Sequence, residues 1–269
     1  MFGASRGSLV EVTRHLDTVL ESADASTLSR ELFQVLHLLD REHGLRRLLA
    51  DSAADGDRKT GLVGELLESQ VSPATILVVN EVAKAEWSSA RDMTDAVERL
   101  AVFAAVGIAG GAGQVEELED DLFRFDRVVA AQPELRSALT QLEVAETHRR
   151  ALVADLLQGK GTPASSLLIS EVVADPRGRT LEQGLEAYRL LVAERAQRYV
   201  AVIRTATPLT DEQQSRLRRL LSTRYGREMH LDIEIAPELI GGMSIRVGDE
   251  EMDGTIAGRV AEVRRRLAG

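Results

Sequence analysis

A chain of 269 residues with 44% apolar and 28% charged side chains is long enough to bury more than one sizeable core. It has no cysteine, which excludes disulfides, thiol catalysis and every thiolate metal site. Its 43 acidic side chains outnumber its 33 basic ones, and the resulting net charge of −10 argues against nucleic acid, whose phosphates need a basic face.

Taken in chain order, Met1-Phe-Gly-Ala-Ser-Arg-Gly lacks the basic-then-apolar layout of a secretory leader, so none is expected. Leu28, Leu32, Val35, Leu36 and Leu39 fall at helical spacing, and shorter helices are predicted over 44–51, 57–68 and 72–86. A helix from 91 to about 106 follows. The longest uncharged run, Leu100 to Val115, is diluted by Gly107, Gly110, Gly111 and Gly113 and reads as a buried helix running into a glycine linker. It falls short of the roughly 20 apolar residues that a membrane span requires, so no insertion into a bilayer is expected.

Shifting the chain by 90 positions aligns residues 31–82 with 121–172 without a gap, and 14 of those 52 positions are identical. Leu32/Leu122, Phe33/Phe123, Leu66/Leu156 and Glu81/Glu171 are among them, and Ser72-Pro73 matches Thr162-Pro163. Each of these last pairs places a capping hydroxyl before a proline at the first helical position. The second copy accordingly repeats the helices, with Leu118, Leu122, Phe125 and Val129 on one stripe and further helices at 133–142, 144–157 and 162–174. A long helix over 180–198 matches 91–106 with a two-residue slip, so one element closes the first copy and opens the second.

The period changes at Tyr199. Tyr199 to Ala206 reads as a strand buried on both faces, and Thr210-Asp-Glu-Gln213 is a capping box opening a helix that ends at Gly226. Met229 to Ile235 and Met243 to Val247 alternate as strands, and Ile256, Val260, Val263 and Leu267 mark a last helix. A right-handed crossover makes the first two strands parallel if they are neighbours. The expected architecture is mainly α. Two tandem short-helix bundles, 1–106 and 91–198, share the helix 91–106 and precede a small β-α-β-β-α domain over 199–269. That last segment carries 11 basic and 11 acidic residues, so the whole excess of acid belongs to residues 1–198.

No constellation asks for catalysis, a cofactor or a metal. Gly159-Lys160-Gly161-Thr162 lacks the upstream glycine and strand of a phosphate loop and reads as a helix–helix turn. Asp249 to Gly254 begins like a calcium loop, but Val260 stands where the closing carboxylate belongs, so a solvated hairpin turn is expected. The five histidines lack the spacing of a metal site, the acidic run Glu116 to Asp121 suits a helix start, and Trp87 suits packing at a helix end.

The stretch from Pro237 to Val260 then becomes informative. Ala236-Pro237, Leu239-Ile240-Gly241-Gly242, Gly248-Asp249, Asp253-Gly254-Thr255 and Arg259 resemble the C-terminal signature of the delta subunit of bacterial F-type ATP synthase, the family of the oligomycin-sensitivity-conferring protein. Thr205-Ala-Thr-Pro-Leu-Thr-Asp-Glu-Gln matches the same family's approach to the preceding helix. Ala236 stands for the usual aspartate, Thr255 for serine, and Glu251-Met252 for an apolar pair, which makes the hairpin more polar. Family members are typically shorter, so residues 1–90 are additional and resemble the long form of some high-GC bacteria.

The resemblance implies a non-catalytic stator subunit of the proton-translocating ATP synthase, without cofactor, present once in a hetero-oligomeric complex. It would lie at the cytoplasmic face of the plasma membrane as a peripheral subunit. Its implied partners are alpha subunits of the catalytic head, received through an amphipathic helix in a groove between helices 91–106 and 162–174, and the b-type stalk subunit. Val97, Leu100, Ala104, Leu168 and Val172 are then the candidate groove residues, and the aligned starts Ser72-Pro73 and Thr162-Pro163 suggest a second groove in the first copy, with Leu77 and Val78. Ile240, Gly241, Gly242, Met243, Ile256 and Val260 are the candidates for the stalk. The residues alone leave open a helical adaptor for amphipathic peptides with no part in energy transduction.

Overall fold

The computed structural model describes residues 3–141, 143–196, 200–225, 229–236, 239, 241–247 and 250–253. It divides into two compact units, Met1–Val192 and Ala193–Gly269. The chain is mainly α with a small α+β C-terminal region, as its patterning implies.

The first unit is helical: α1 Ala4–Leu20, α2 Ala25–Arg41, α3 His43–Ala50, α4 Gly56–Leu67, α5 Pro73–Lys84, α6 Ala90–Ala112, α7 Val115–Ala131, α8 Pro133–Thr140, α9 Glu146–Leu157, α10 Pro163–Ala174 and α11, which starts at Leu181 and ends at Ala196. Adding 90 to the bounds of α2, α3, α4 and α5 gives those of α7, α8, α9 and α10, residue for residue. The paired caps follow suit: the Ser72 hydroxyl accepts the Thr75 N–H, and the Thr162 hydroxyl accepts that of Ser165. The stripes Leu28, Leu32, Val35, Leu39 and Leu118, Leu122, Phe125, Val129 are buried alike.

Two features of this unit differ from the sequence reading. Helix α1 was not foreseen; it buries Val12, Leu16 and Val19 and ties its start down through Ser5, which donates to Asp92 at 2.7 Å, and Ser8, which donates to the Glu86 carbonyl at 2.6 Å. Nor does α6 give way to a linker at its glycines. It runs through Gly107, Gly110 and Gly111 and stops at Gly113, which takes the left-handed conformation at φ 68°. Close packing explains this: at Gly107 the side chains of Leu20 and Ala25 approach within 3.5–3.7 Å of where a β-carbon would sit.

The second unit contains β1 Val200–Thr205, α12 Asp211–Tyr225, β2 His230–Ile235, β3 Met243–Val247 and β4 Glu250–Asp253. The sheet order is β2-β1-β3-β4, with β1 and β2 parallel and the other pairs antiparallel. The capping box forms as spelled, Thr210 N–H to the Gln213 side chain and Gln213 N–H to the Thr210 hydroxyl. Strand β1 is buried on one face, through Ala201, Ile203 and Thr205, while Arg204 is exposed beside Glu234 of β2. That corrects the expectation of burial on both faces. The acidic segment after Val247 is a further strand rather than only a turn, because Glu250 pairs with Val247 and Met252 with Ile245. Ala201, Leu221, Met229 and Val247 form its small core. The predicted last helix lies outside the described residues.

Candidate interaction site

Helix α6 is the spine of the helical unit. From Met93 to Gly110 most of its side chains are buried, because α1, α2, α3 and α5 pack on it from one repeat and α7 and α10 from the other. Of the helix pairs, α2 and α6 pack most extensively, and the Ser29 hydroxyl donates to the Ala101 carbonyl at 2.9 Å. The five candidate groove residues sit in this seam: Val97, Leu100, Ala104 and Leu168 are fully buried and Val172 is 1% exposed. The structure brings them together, inside the chain's own packing.

The seam is laced by polar contacts between repeats. His37 of α2 meets Glu171 of α10 at 2.8 Å and lies 3.7 Å from Asp175. Arg150 of α9 holds the other oxygen of Glu171 at 2.8 Å. The hydrogen bond to Glu171 raises the pKa of His37 against the opposing effect of burial. Burial pushes Glu171 the other way, but the hydrogen bonds from His37 and Arg150 outweigh it and hold the carboxyl below its ordinary value. Arg177, at φ 51° after α10, donates to Asp40 of α2 at 2.8 Å and to Glu98 of α6 at 2.6 Å, and Arg179 also pairs with Glu98. Few non-glycine residues hold a positive φ, and here a buried ion network fixes one.

Within each repeat a carboxylate clamps the start of the fifth helix. Glu31 accepts the backbone N–H and hydroxyl of Ser72 and the hydroxyl of Thr75, at 2.6–2.9 Å. Asp121, ninety residues on, accepts the N–H of Thr162 and the hydroxyl of Ser165, both at 2.8 Å. Arg149 closes the other end of α10 by donating to the carbonyls of Val173 and Ala174. Sequence reasoning gave Glu31, Asp121 and Arg149 no such role. The acidic character of both 31 and 121 at aligned positions was the available signal.

A cleft between α1 and α5 is lined by Val12, His15, Thr18, Glu81, Lys84 and Ala85. On α5, Leu77 is 53% exposed whereas Val78 is fully buried, so the two candidates for a second groove part company. In the second unit Gly241 and Gly242 precede β3 at φ 145° and 83°, and Met243 pairs with Thr205 of β1. The stalk candidates Ile240, Ile256 and Val260 lie outside the described residues.

Among the described residues no group of His, Asp and Glu could hold a metal ion, and no helix is long and apolar enough to cross a membrane. Trp87 is buried and donates to the Val82 carbonyl at 2.8 Å, a packing role.

Residues 99–267 match the family model described as ATP synthase delta (OSCP) subunit. The match begins within α6, so α1 to α5 lie outside it. The chain is 58% identical to ATP synthase subunit delta of Thermobifida fusca over 269 residues, covering all of both chains. It is 46% identical to the Streptomyces avermitilis subunit, covering 99% of this chain and 98% of that one. A chain of the Toxoplasma gondii mitochondrial ATP synthase hexamer shows a faint likeness, with a TM-score of 0.32 and 21% identity over 62% of this chain and 95% of that one. On the match over residues 99–267 and the full-length relatives, the chain belongs to the ATP synthase delta (OSCP) subunit family.

Proposed function

We propose that the protein is a non-catalytic stator subunit of a proton-translocating F-type ATP synthase, joining alpha subunits of the catalytic head to the b-type peripheral stalk. It would act at the cytoplasmic face of the plasma membrane, in one copy per complex. The observation that carries this reading is identity of 58% across the whole chain to an ATP synthase subunit delta. The architecture suits the task, since a tether between a head under torque and a fixed stalk needs interfaces on stiff bodies and no chemistry. Two bundles over 1–106 and 91–198, built around a common helix, would supply the stiffness.

In the family an amphipathic alpha-subunit helix is received between the first and fifth helices. In the second repeat those are α6 and α10, where Val97, Leu100, Ala104, Leu168 and Val172 are already buried and α2 lies along α6. An alpha-subunit helix would reach them only if α2 moved aside. The corresponding pair in the first repeat is α1 and α5, whose cleft is lined by Val12, His15, Thr18, Glu81, Lys84 and Ala85, and whose helices also expose Val10 and Leu77, 46% and 53%. We place the alpha helix there, reading its apolar anchors in helix-in-groove fashion. The stalk would meet the second unit around Ile240 to Met243 and the segment holding Ile256 and Val260.

The first experiment is co-purification: the full chain should follow membranes and ATPase activity and dissociate as a soluble piece. Truncation after Asp253 should abolish capture of the b-type stalk segment while the helical circular dichroism persists. A truncated chain that still retains the stalk would overturn the assignment of that interface. A chain that never follows the ATPase would favour the peptide-binding adaptor.

A further inference from the structure

Helix α2 carries two adjacent buried stripes. The first, Leu28, Leu32, Val35 and Leu39, faces its own bundle and is matched on α7 by Leu118, Leu122, Phe125 and Val129, all buried. The second runs through Ser29, Phe33, Leu36 and Asp40, and the chain itself covers it. Ser29 bonds to α6, the Phe33 ring lies 6.1 Å from that of Tyr188 in α11, and Asp40 receives Arg177. Ninety residues on, the same stripe of α7 reads Glu119, Phe123, Asp126 and Ala130. Phe33 is 1% exposed and Phe123 is 51% exposed.

Three of the four positions change: Ala130 stands where α2 has Asp40, and the other two changes bring acids. Glu119 stands where α2 has Ser29, and Asp126 where it has Leu36. Asp126 keeps one oxygen shut off from solvent with no hydrogen-bond partner. Burial raises its carboxyl, with Glu182 and Glu186 of α11 adding to it, against Arg127 and against Arg189, which is already bonded to Glu186. Burial raises Glu119 too, with Asp120 and Glu116 adding to it and Arg189 opposing. On α11, next to Arg189, Leu190 is 57% exposed. Half-buried carboxylates short of cations, around an exposed aromatic ring, cost free energy that a basic apolar partner would recover.

We propose that the outer stripe of α7, centred on Phe123 with Glu119 and Asp126, docks an amphipathic helix of a partner that brings arginine or lysine to the two acids. The stripe of α2 supplies the precedent, since a helical surface with an aromatic ring and a guanidinium covers it. This face is separate from the α1–α5 cleft, and the stator reading supplies only the assembly in which to test it.

The test places the photo-reactive p-benzoylphenylalanine at position 123 of the full chain, in membranes carrying the assembled complex. The same probe at the exposed Arg47 is the control. The expected result is a cross-linked peptide, identified by mass spectrometry as an amphipathic helix bearing Lys or Arg, at a yield about ten-fold above control. Asp126→Lys should cut that yield about ten-fold, as loss of a desolvated charge pair does. Glu119→Gln, at the edge of the stripe, should lower it about three-fold and decides the matter if the lysine variant loses its helical dichroism. A yield at the control level, capture of lipid or of a second copy of this chain, a peptide without basic residues, or indifference to the acids would overturn the proposal. Failure of the unmodified chain to follow the ATPase would instead sink the stator reading.

Discussion

Glu31 and Asp121 occupy equivalent positions and clamp equivalent helix starts, but their surroundings differ. Asp121 is 7% exposed and its acceptor oxygen serves a buried N–H and a buried hydroxyl, whereas Glu31 is only half-buried. Removing a buried acceptor leaves its donors unsatisfied, a cost of about 1–3 kcal/mol. Asp121→Ala should therefore lie near the top of that range in urea unfolding, and Glu31→Ala near the bottom, because water can reach Ser72. Equal losses would show that burial does not govern the clamp. His37 makes a pH prediction. Its raised pKa means that its contribution is full below about pH 6.5 and fades as pH rises through the folded value. Glu171, held below its ordinary value, contributes above the usual carboxylate range and loses this as pH falls through its folded value. His37→Gln should flatten the decline in urea midpoint on the neutral side and leave an acid limb; an unchanged neutral slope would count against the His37–Glu171 contact. The caps Ser72 and Thr162 were legible because a cap and its N–H lie three residues apart. The carboxylates that buttress them were not, because they act from 41 residues upstream.

At the scale of the element, periodicity found the helices whose buried faces are apolar and missed the one whose face is not. Alongside Val12, Leu16 and Val19, α1 buries Ser5, Ser8 and Thr13, and their hydroxyls reach Asp92, the Glu86 carbonyl and the Leu9 carbonyl. A pattern read as apolar against polar cannot register such a stripe. The glycines of α6 misled in the opposite sense, since helix propensity argues for a break and packing against Leu20 and Ala25 overrides it. Two glycines then separate by geometry. A β-carbon on Gly107 would meet Ala25 and Leu20 at ordinary contact distance, so Gly107→Ala should stabilise the chain by about 0.5–1 kcal/mol. A β-carbon on Gly184 would lie 2.6 Å from Cγ1 of Val172, so Gly184→Ala should destabilise it by about 1–3 kcal/mol through overpacking. The double change Gly184→Ala with Val172→Ala should cost less than the sum of its parts. Additive losses would mean that α10 and α11 do not meet there.

For the whole molecule, helices of both repeats pack on α6 inside one compact unit, Met1–Val192. Val97, Leu100 and Ala104 are groove candidates through the family resemblance, and apolar positions on a helix look alike whether a partner or the same chain covers them. Helix α2 packs along α6, and its second stripe meets α6 through Ser29 and α11 through Phe33. Removing residues 1–89 would uncover that side of α6 and strand Glu98 and Arg177 without Asp40. The fragment 90–269 should consequently bind a hydrophobic dye, self-associate in sedimentation and lose cooperative unfolding, although it spans the whole family match from residue 99. The fragment 1–196, which keeps both repeats, should unfold cooperatively within a few degrees of the helical transition of the full chain. A monomeric, cooperative 90–269 fragment would show instead that the repeats are independent bodies. The stiffness that the proposed stator role asks for would then have to come from elsewhere in the complex, because a seam that can be removed without cost cannot resist torque.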